Sequence, residues 1–376
     1  PDPIHLQTPV SKKLSEHMSG PSSSIFVGWK GYPQVFAGPM TQIDGGDALV
    51  ADDPGSWYGM GFDDIIRLRA ASVRSKSLES VKARSSIVSD MQELALSVAP
   101  VDVETVFKRK PSFSLSFSPV SQPMGPSGIV KDLTVCDNPK IPGKVDYVVG
   151  DDLSSTSQVS KLYGKGFDVY YLSPVLSSGV LGRDDAKKMV PTRWSITAVD
   201  DMLGKLLRQD VSDNPSVNDF MVYSNTYLEN HFEVLLMPGA WEFEQFEAWA
   251  PRTLWTMAYD EPVIQLESEY YRGRSDYAVK EGGGYYAARL AVLEALDKMG
   301  RQARAVIFRE IYDSYIMPVG VWEVRENVRK AMQAKPGRFA TLRHALDDIN
   351  ERLLIPVGKY VGKSEILRQK RLTDYM

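Results

Sequence analysis

A single cysteine, Cys136, and four histidines stand among 376 residues. The lone cysteine excludes an internal disulfide framework and any cysteine-ligated zinc ribbon or finger. Four histidines leave little material for a histidine-rich metal site. Charge of one sign is also lacking: the formal net charge is −4 and the pI is near 5.7. Contact with nucleic acid would therefore have to come from a local basic patch rather than from bulk charge. No apolar run approaches the roughly 20 residues that span a bilayer, and no charged-then-apolar leader opens the chain. A cytoplasmic protein without a membrane partner is the expectation. The remainder is ordinary globular composition, 43% hydrophobic and 24% charged, in a chain long enough for one large domain or two of ordinary size.

Proline, glycine and apolar spacing divide the chain. Residues 1–24, with the run Gly20-Pro21-Ser22-Ser23-Ser24, read as a flexible lead-in. Ile25-Phe26-Val27 and Val35-Phe36-Ala37 flank turn residues from Gly28 to Pro33 and predict a β-hairpin. A helix is expected from Asp63 to about Val81, one or two short helices from Met91 to Phe107, and a crossing loop or lobe boundary over the Pro- and Gly-rich residues 111–142. Val145–Val149 as strand, Ser154–Tyr163 as helix and Asp168–Leu172 as strand would make a βαβ unit. Asp219–Glu267 alternates in the manner of antiparallel strands. Tyr285–Met299 has helical spacing, Ala305–Phe308 reads as a strand, and helices dominate from Val321 to Leu354. The expected class is α/β or α+β, a mixed and partly antiparallel sheet flanked by helices. It forms a globular body over 25–358 with a basic tail over 359–376.

Four clusters could carry chemistry. Lys187 and Lys188 precede Val190-Pro191-Thr192-Arg193-Trp194-Ser195, which leads into a helix bearing Asp200 and Asp201. Two lysines, an arginine and a tryptophan at a Pro-bent helix entrance could bind phosphate and stack a base; an Arg–Asp pair locking the helix start fits equally well. His231 and Glu233 share one face of a strand, and with Asp200 and Asp201 could supply ligands for Mg²⁺ or Mn²⁺ or an acid and a base. A hydrated sheet face is the plainer alternative. Gly283 and Gly284 stand before a helix that carries Arg289 one turn in, a place where a phosphate could approach; a flexible entry loop also accounts for them. Arg272 and Arg274, among Tyr270, Tyr271 and Tyr277, form a basic-aromatic cluster suited to nucleic acid or to a solvated loop.

The last eight residues are the most specific. Gln369 is followed by Leu372, then by Tyr375 and Met376. In one helical turn the last three project together as an apolar plug, with the Gln369 amide one turn earlier. This resembles the PIP box, the peptide by which DNA-processing proteins attach to the PCNA sliding clamp. Lys363, Arg368, Lys370 and Arg371 surround it with charge and suit it to projecting outward. Packing of the tail on its own domain is the alternative.

Phe26-Val27-Gly28 with Gly31-Tyr32-Pro33, the block Val190–Asp201, Trp241-Glu242-Phe243-Glu244, Gly283–Arg289 and Gly320-Val321-Trp322 together resemble the archaeal Nre family. The resemblance extends from about residue 24 to the terminal peptide. It implies a cytoplasmic DNA repair protein tethered to PCNA, with DNA as a partner. Many members carry an N-terminal zinc finger; the cysteines for it are lacking here, so zinc is not carried over. The expected function is PCNA-recruited repair by a body acting on DNA or a nucleotide-like group, as a metal-dependent phosphodiesterase using Arg193, Asp200, Asp201, His231 and Glu233. A non-catalytic clamp-docked adaptor, or a metabolic enzyme whose tail matches by chance, are the alternatives.

Overall fold

The computed structural model describes residues 13–43, 47–251, 256, 260–315 and 317–369, and these form two compact units divided between Leu203 and Gly204. The class is the mixed one expected, with sheets flanked by helices.

The first unit is built on β1 (His17–Val27), β2 (Gln34–Gln42), β3 (Ser72–Ser80), β4 (Val101–Phe107) and β5 (Ser127–Val135). Helices α1 (Ala48–Ala51) and α2 (Phe62–Ala70) lie between β2 and β3, and α3 (Ser86–Leu96) between β3 and β4. The strands close into a barrel in the order β1-β2-β3-β5-β4. Strand β1 serves both halves: His17–Ser22 pairs with β4, a bulge follows between Ser22 and Ser24, and the remainder pairs with β2. β3 and β5 run parallel, and every other pair is antiparallel. This order, with a helix between β3 and β4, is the OB-fold barrel. Closure demands a close approach at Gly38, where a Cβ would stand 1.6 Å from the Ser75 carbonyl oxygen, so any other residue would force β2 and β3 apart. Val35, Ala37, Val73 and Val103 point inward, and Val88, Met91 and Leu94 of α3 join them in one core.

Behind the barrel come α4 (Gly143–Gly150), α5 (Ser155–Gly164), α6 (Val169–Ser178) and α7 (Thr192–Ser212), the last crossing the border between the units. Several expectations fail in this unit. Residues 17–24 belong to β1 rather than to a lead-in. The helix expected over Asp63–Val81 stops at Ala70 and gives way to β3. Met91–Phe107 is α3 followed by β4, whose Val-Asp-Val-Glu-Thr-Val-Phe alternates buried and exposed positions. Residues 111–142 hold the β4–β5 connection, β5 and the approach to α4, inside one unit. The predicted βαβ unit is three helices. Asp168 explains its second error: its carboxylate accepts from the amides of Tyr170 and Tyr171, capping α6, which ends at the left-handed Gly179. Cap and terminator outweigh the β preference of Val-Tyr-Tyr.

The second unit is a six-stranded sheet in the order β11-β6-β7-β10-β8-β9. Its strands are β6 (Phe220–Tyr227), β7 (Asn230–Met237), β8 (Glu242–Trp249), β9 (Val263–Glu269), β10 (Arg304–Ile311) and β11 (Gly337–Phe339). β8 and β10 are parallel; the other pairs are antiparallel. Helices α8 (Gly283–Met299), α9 (Trp322–Gln333), α10 (Leu342–Asn350) and α11 (Val357–Val361) accompany it. Every residue of β7 and β10 is buried, as befits strands covered on both faces. The chain stays docked beyond residue 358: the Glu244 carboxylate accepts from Ser364 Oγ at 2.5 Å and from the amides of Glu365 and Ile366 at 2.7 and 2.8 Å. The basic tail expected over 359–376 is thus docked as far as Ile366. Gln369 is exposed, while Leu372, Tyr375 and Met376, like residues 1–12, lie outside the described residues.

Candidate nucleic-acid interface

Strand alternation sets the outer face of the barrel. On β2, inward Val35 and Ala37 leave Phe36 outward, and on β3 inward Val73 and Ser75 leave Arg74, Lys76 and Leu78 outward. Phe36 and Leu78 lie directly opposite one another in the β2–β3 register, and Leu78 is 62% exposed. The β1–β2 loop adds Trp29, Lys30 and Tyr32. Thr192, at the start of α7, fastens this loop's base by accepting from the Val27 amide at 2.8 Å. That bond brings the helix entrance onto the barrel. Arg193 stacks 5.0 Å from the centroid of Trp29, and Trp194 lies against Tyr32 with centroids 5.1 Å apart. Trp29, Tyr32 and Trp194 are all exposed, Trp29 by 46%. The β4–β5 connection, including Phe117 and Met124, completes a cleft of about 490 Å³.

The cations of this cleft are short of anions. Arg74 donates to the Gly125 carbonyl at 3.0 Å and approaches the Met124 sulfur, but its Nε is buried without a partner. Burial, with Arg69 nearby, lowers its pKa to about 10. The Lys76 ammonium is lowered too, by burial and then by Arg74. Neither makes an ion pair with a carboxylate among the described residues, and the same holds for Arg193. Arg69 shows the contrast: it is buried as well, but bonds Asp52 at 2.6 Å and the carbonyls of Ala51 and Pro123. Exposed rings beside cations without paired carboxylates have the chemistry to stack bases and meet phosphates. On an OB barrel, the β2–β3 face and the loops β1–β2 and β4–β5 are the positions that meet oligonucleotides.

Two family models cover the chain: archaeal Nre, N-terminal, over residues 4–256, and archaeal Nre, C-terminal, over residues 269–375. The chain belongs to the archaeal Nre family. Similar proteins include "DNA repair protein NreA" of Archaeoglobus fulgidus, 39% identical over 91% of this chain and 86% of that protein. "DNA repair protein NreA" of Haloferax volcanii is 36% identical over 92% and 85%, and "DNA repair protein NreB" of Archaeoglobus fulgidus 35% over 94% and 90%. No solved structure matches.

The remaining site residues expected from sequence sit elsewhere in this Nre chain. Lys187 and Lys188 line a separate cleft of the first unit, with Lys187 paired to Asp184 at 2.9 Å. Asp200 is fully buried on α7, one position before Asp201, and α7 starts at Thr192, inside the Val190–Ser195 block expected to precede it. In the second unit, Glu233 is buried and accepts from His231 Nε2 at 2.9 Å, Ser224 Oγ at 2.8 Å and Arg352 Nε at 2.7 Å. Burial alone would raise its pKa, but the bonds from His231, Arg352 and Ser224 together hold it below the ordinary carboxylate range. Gly283 and Gly284 open α8 inside the unit, and Arg289 is buried and paired with Glu269 at 2.8 Å. Arg274 is held by Glu267 at 2.9 Å and by the carbonyl of Tyr277, while Arg272 lies over Tyr271. Among the described residues, no group of three or more His, Cys, Asp or Glu side chains is arranged to hold a metal ion.

Sequence reasoning missed Trp29, Tyr32, Arg74 and Lys76. A usable signal existed: the Trp-Lys-Gly-Tyr turn between two apolar runs carries exposed aromatic and basic residues in a place where turns favour small polar ones.

Proposed function

We propose that this chain is a DNA repair factor that holds unpaired DNA on the outer face of its barrel and is tethered to the PCNA clamp by its terminal peptide. The observation that carries the first part is the stacking of Arg193 on exposed Trp29 beside Arg74 and Lys76, cations without carboxylate partners. Bases would stack on Trp29, Tyr32 and Phe36 while the cations meet phosphates, a mode that tolerates any sequence because every base has a π face. The names of the similar proteins from Archaeoglobus and Haloferax support the repair setting. Of the two roles the sequence allows the body, strand binding is favoured over phosphodiester hydrolysis. Glu233, which a metal would need, already accepts from three side chains. For the tether, the docked Ser364–Ile366 segment fixes the point from which exposed Gln369 departs.

Fluorescence anisotropy with labelled oligothymidylate at low salt tests the strand-binding part. Trp29→Ala should weaken single-strand binding by on the order of tenfold, since a stacked base contributes about 1–3 kcal/mol. Parental affinity retained by both Trp29→Ala and Arg193→Ala, or absence of binding, overturns it. Removal of residues 369–376 should abolish capture by PCNA in solution; a truncated chain that still binds the clamp removes the tether.

A further inference from the structure

The first unit holds a second basic cleft, of about 540 Å³, whose cations are Lys82, Arg84, Lys187 and Lys188. Among its lining residues Asp184 is the sole acid, paired with Lys187, and there is no aromatic ring. Lys82 and Lys188 make no ion pair among the described residues. A cleft of this composition has charge for phosphates and nothing on which to stack a base.

Its position relative to the aromatic groove follows from the backbone. The Val81 amide donates to the Pro33 carbonyl at 2.9 Å, so the end of the β1–β2 loop lies on the end of β3. The Met189 amide donates to the Val81 carbonyl at 2.8 Å. From there the segment Lys188-Met189-Val190-Pro191-Thr192-Arg193 runs to Val27, where Thr192 is bonded. Lys188 lines the basic cleft and Arg193 lines the groove. Five residue steps reach at most roughly 17 Å. Both clefts are thus joined by one short segment fastened at two points to the barrel.

We infer that the two clefts form one track: a DNA strand stacked in the groove continues past Pro33 and Val81, and its phosphates enter the cleft of Lys82, Arg84, Lys187 and Lys188. This rests on the strand-binding reading above and adds a length requirement and a second charged contact to it. Met189, buried in the barrel core and lining the basic cleft, belongs to the segment that the strand follows toward Arg193.

The test uses the full chain, with oligothymidylates of increasing length and a titration of salt. The parent should gain affinity with length until the strand fills both clefts. Lys82→Ala/Lys188→Ala should bind the longest strands at least tenfold more weakly, bind the shortest detectable strand within about twofold of the parent, and lose the gain with length. Its salt slope on long strands should be shallower by about 1.4, because each phosphate contact on a single strand contributes about 0.7. An unchanged length dependence and slope overturn the track while leaving groove binding, read from Trp29→Ala on the shortest strand, in place. An equal loss at every length overturns it as well, since the lysines would then act as bulk charge. If a polyglutamate peptide displaces long strands as effectively as unlabelled oligothymidylate, the cleft is not a nucleic-acid path. If Trp29→Ala has no effect on the shortest strand, it is the groove reading that falls, and the track with it.

Discussion

The sheet of the second unit and the barrel face of the first use arginine in opposite ways. In the second unit, Arg289, Arg304, Arg309 and Arg352 each bond a glutamate, at 2.8, 2.7, 2.6 and 2.7 Å. Arg309 also holds Asn230 through both Nε and Nη2, and lies 3.5 Å from Glu323. Arg304 and Arg309 thereby tie β10 to β8, Arg289 ties α8 to β9, and Arg352 ties the end of α10 to β7. On the first unit's barrel face, Arg74 and Arg193 have rings and carbonyls around them but, among the described residues, no paired carboxylate. The same residue type is a fastener in the sheet and lacks a carboxylate partner among the described residues on the barrel face, although Arg69, bonded to Asp52, is a fastener of the first unit as well. Pairing, not arginine content, separates a structural cation from a binding one.

The comparison breaks most readily at Arg309. Arg309→Met should leave Glu247 buried without its cation and destabilise the second unit by about 3–5 kcal/mol, read as an early transition in thermal unfolding. Arg193→Met, by contrast, should leave the melting midpoint unchanged. An equal loss from both would mean that Arg193 is a fastener too. Smaller effects are expected at the groove. Lys76→Ala should cost a few-fold in single-strand affinity and make the salt slope shallower by about 0.7. Parental affinity should hold at neutral pH and fall as the pH approaches 10, because burial lets Arg74 lose its proton near there; anisotropy across the alkaline range reads this.

The smallest effect concerns pH and the second unit's core. Burial raises the Glu323 carboxyl to about 7 from an ordinary 4.5, and raises that of Glu281, buried with neither oxygen bonded, well above it. Between those values the folded state keeps a proton that the unfolded chain has lost. The contribution of these two carboxyls to stability is therefore full at acid pH, and that of Glu323 is lost as pH rises through about 7. Glu323→Gln keeps the oxygen that accepts from Asn327, and should reduce by a few degrees the fall in melting midpoint between pH 5 and 8.

Legibility differed between the units as well. In the second, β7 carries the continuous apolar run Val234–Met237 of a strand covered on both faces, and α8 carries Tyr286, Leu290 and Leu293 at helical spacing, so local pattern and final structure agree. In the first, β3 points Ser75 inward and Leu78 outward, which inverts the usual signal. There the β3 backbone at Ser75 lies against Gly38 of β2, where no side chain fits. A period-2 pattern was present in β4 and was overlooked beside the helical run before it. The groove was half visible: Arg193 and Trp194 stood out as a basic-aromatic pair, whereas their neighbours Trp29 and Tyr32 lie more than 160 residues earlier and join them only through the Thr192 bond to Val27.

By itself the sequence determined family membership, the mixed class, the elements of the second unit and the supply of aromatic and basic residues. All of these depend on residue identity and on spacing within a few turns or strands. Tertiary structure alone decided that β1 pairs with β4 and β3 with β5 to close a barrel, and that Arg289 meets Glu269 while Arg193 meets a tryptophan. The physical reason is that a charge becomes structural or available according to what stands within about 4 Å of it, and those neighbours come from distant parts of the chain.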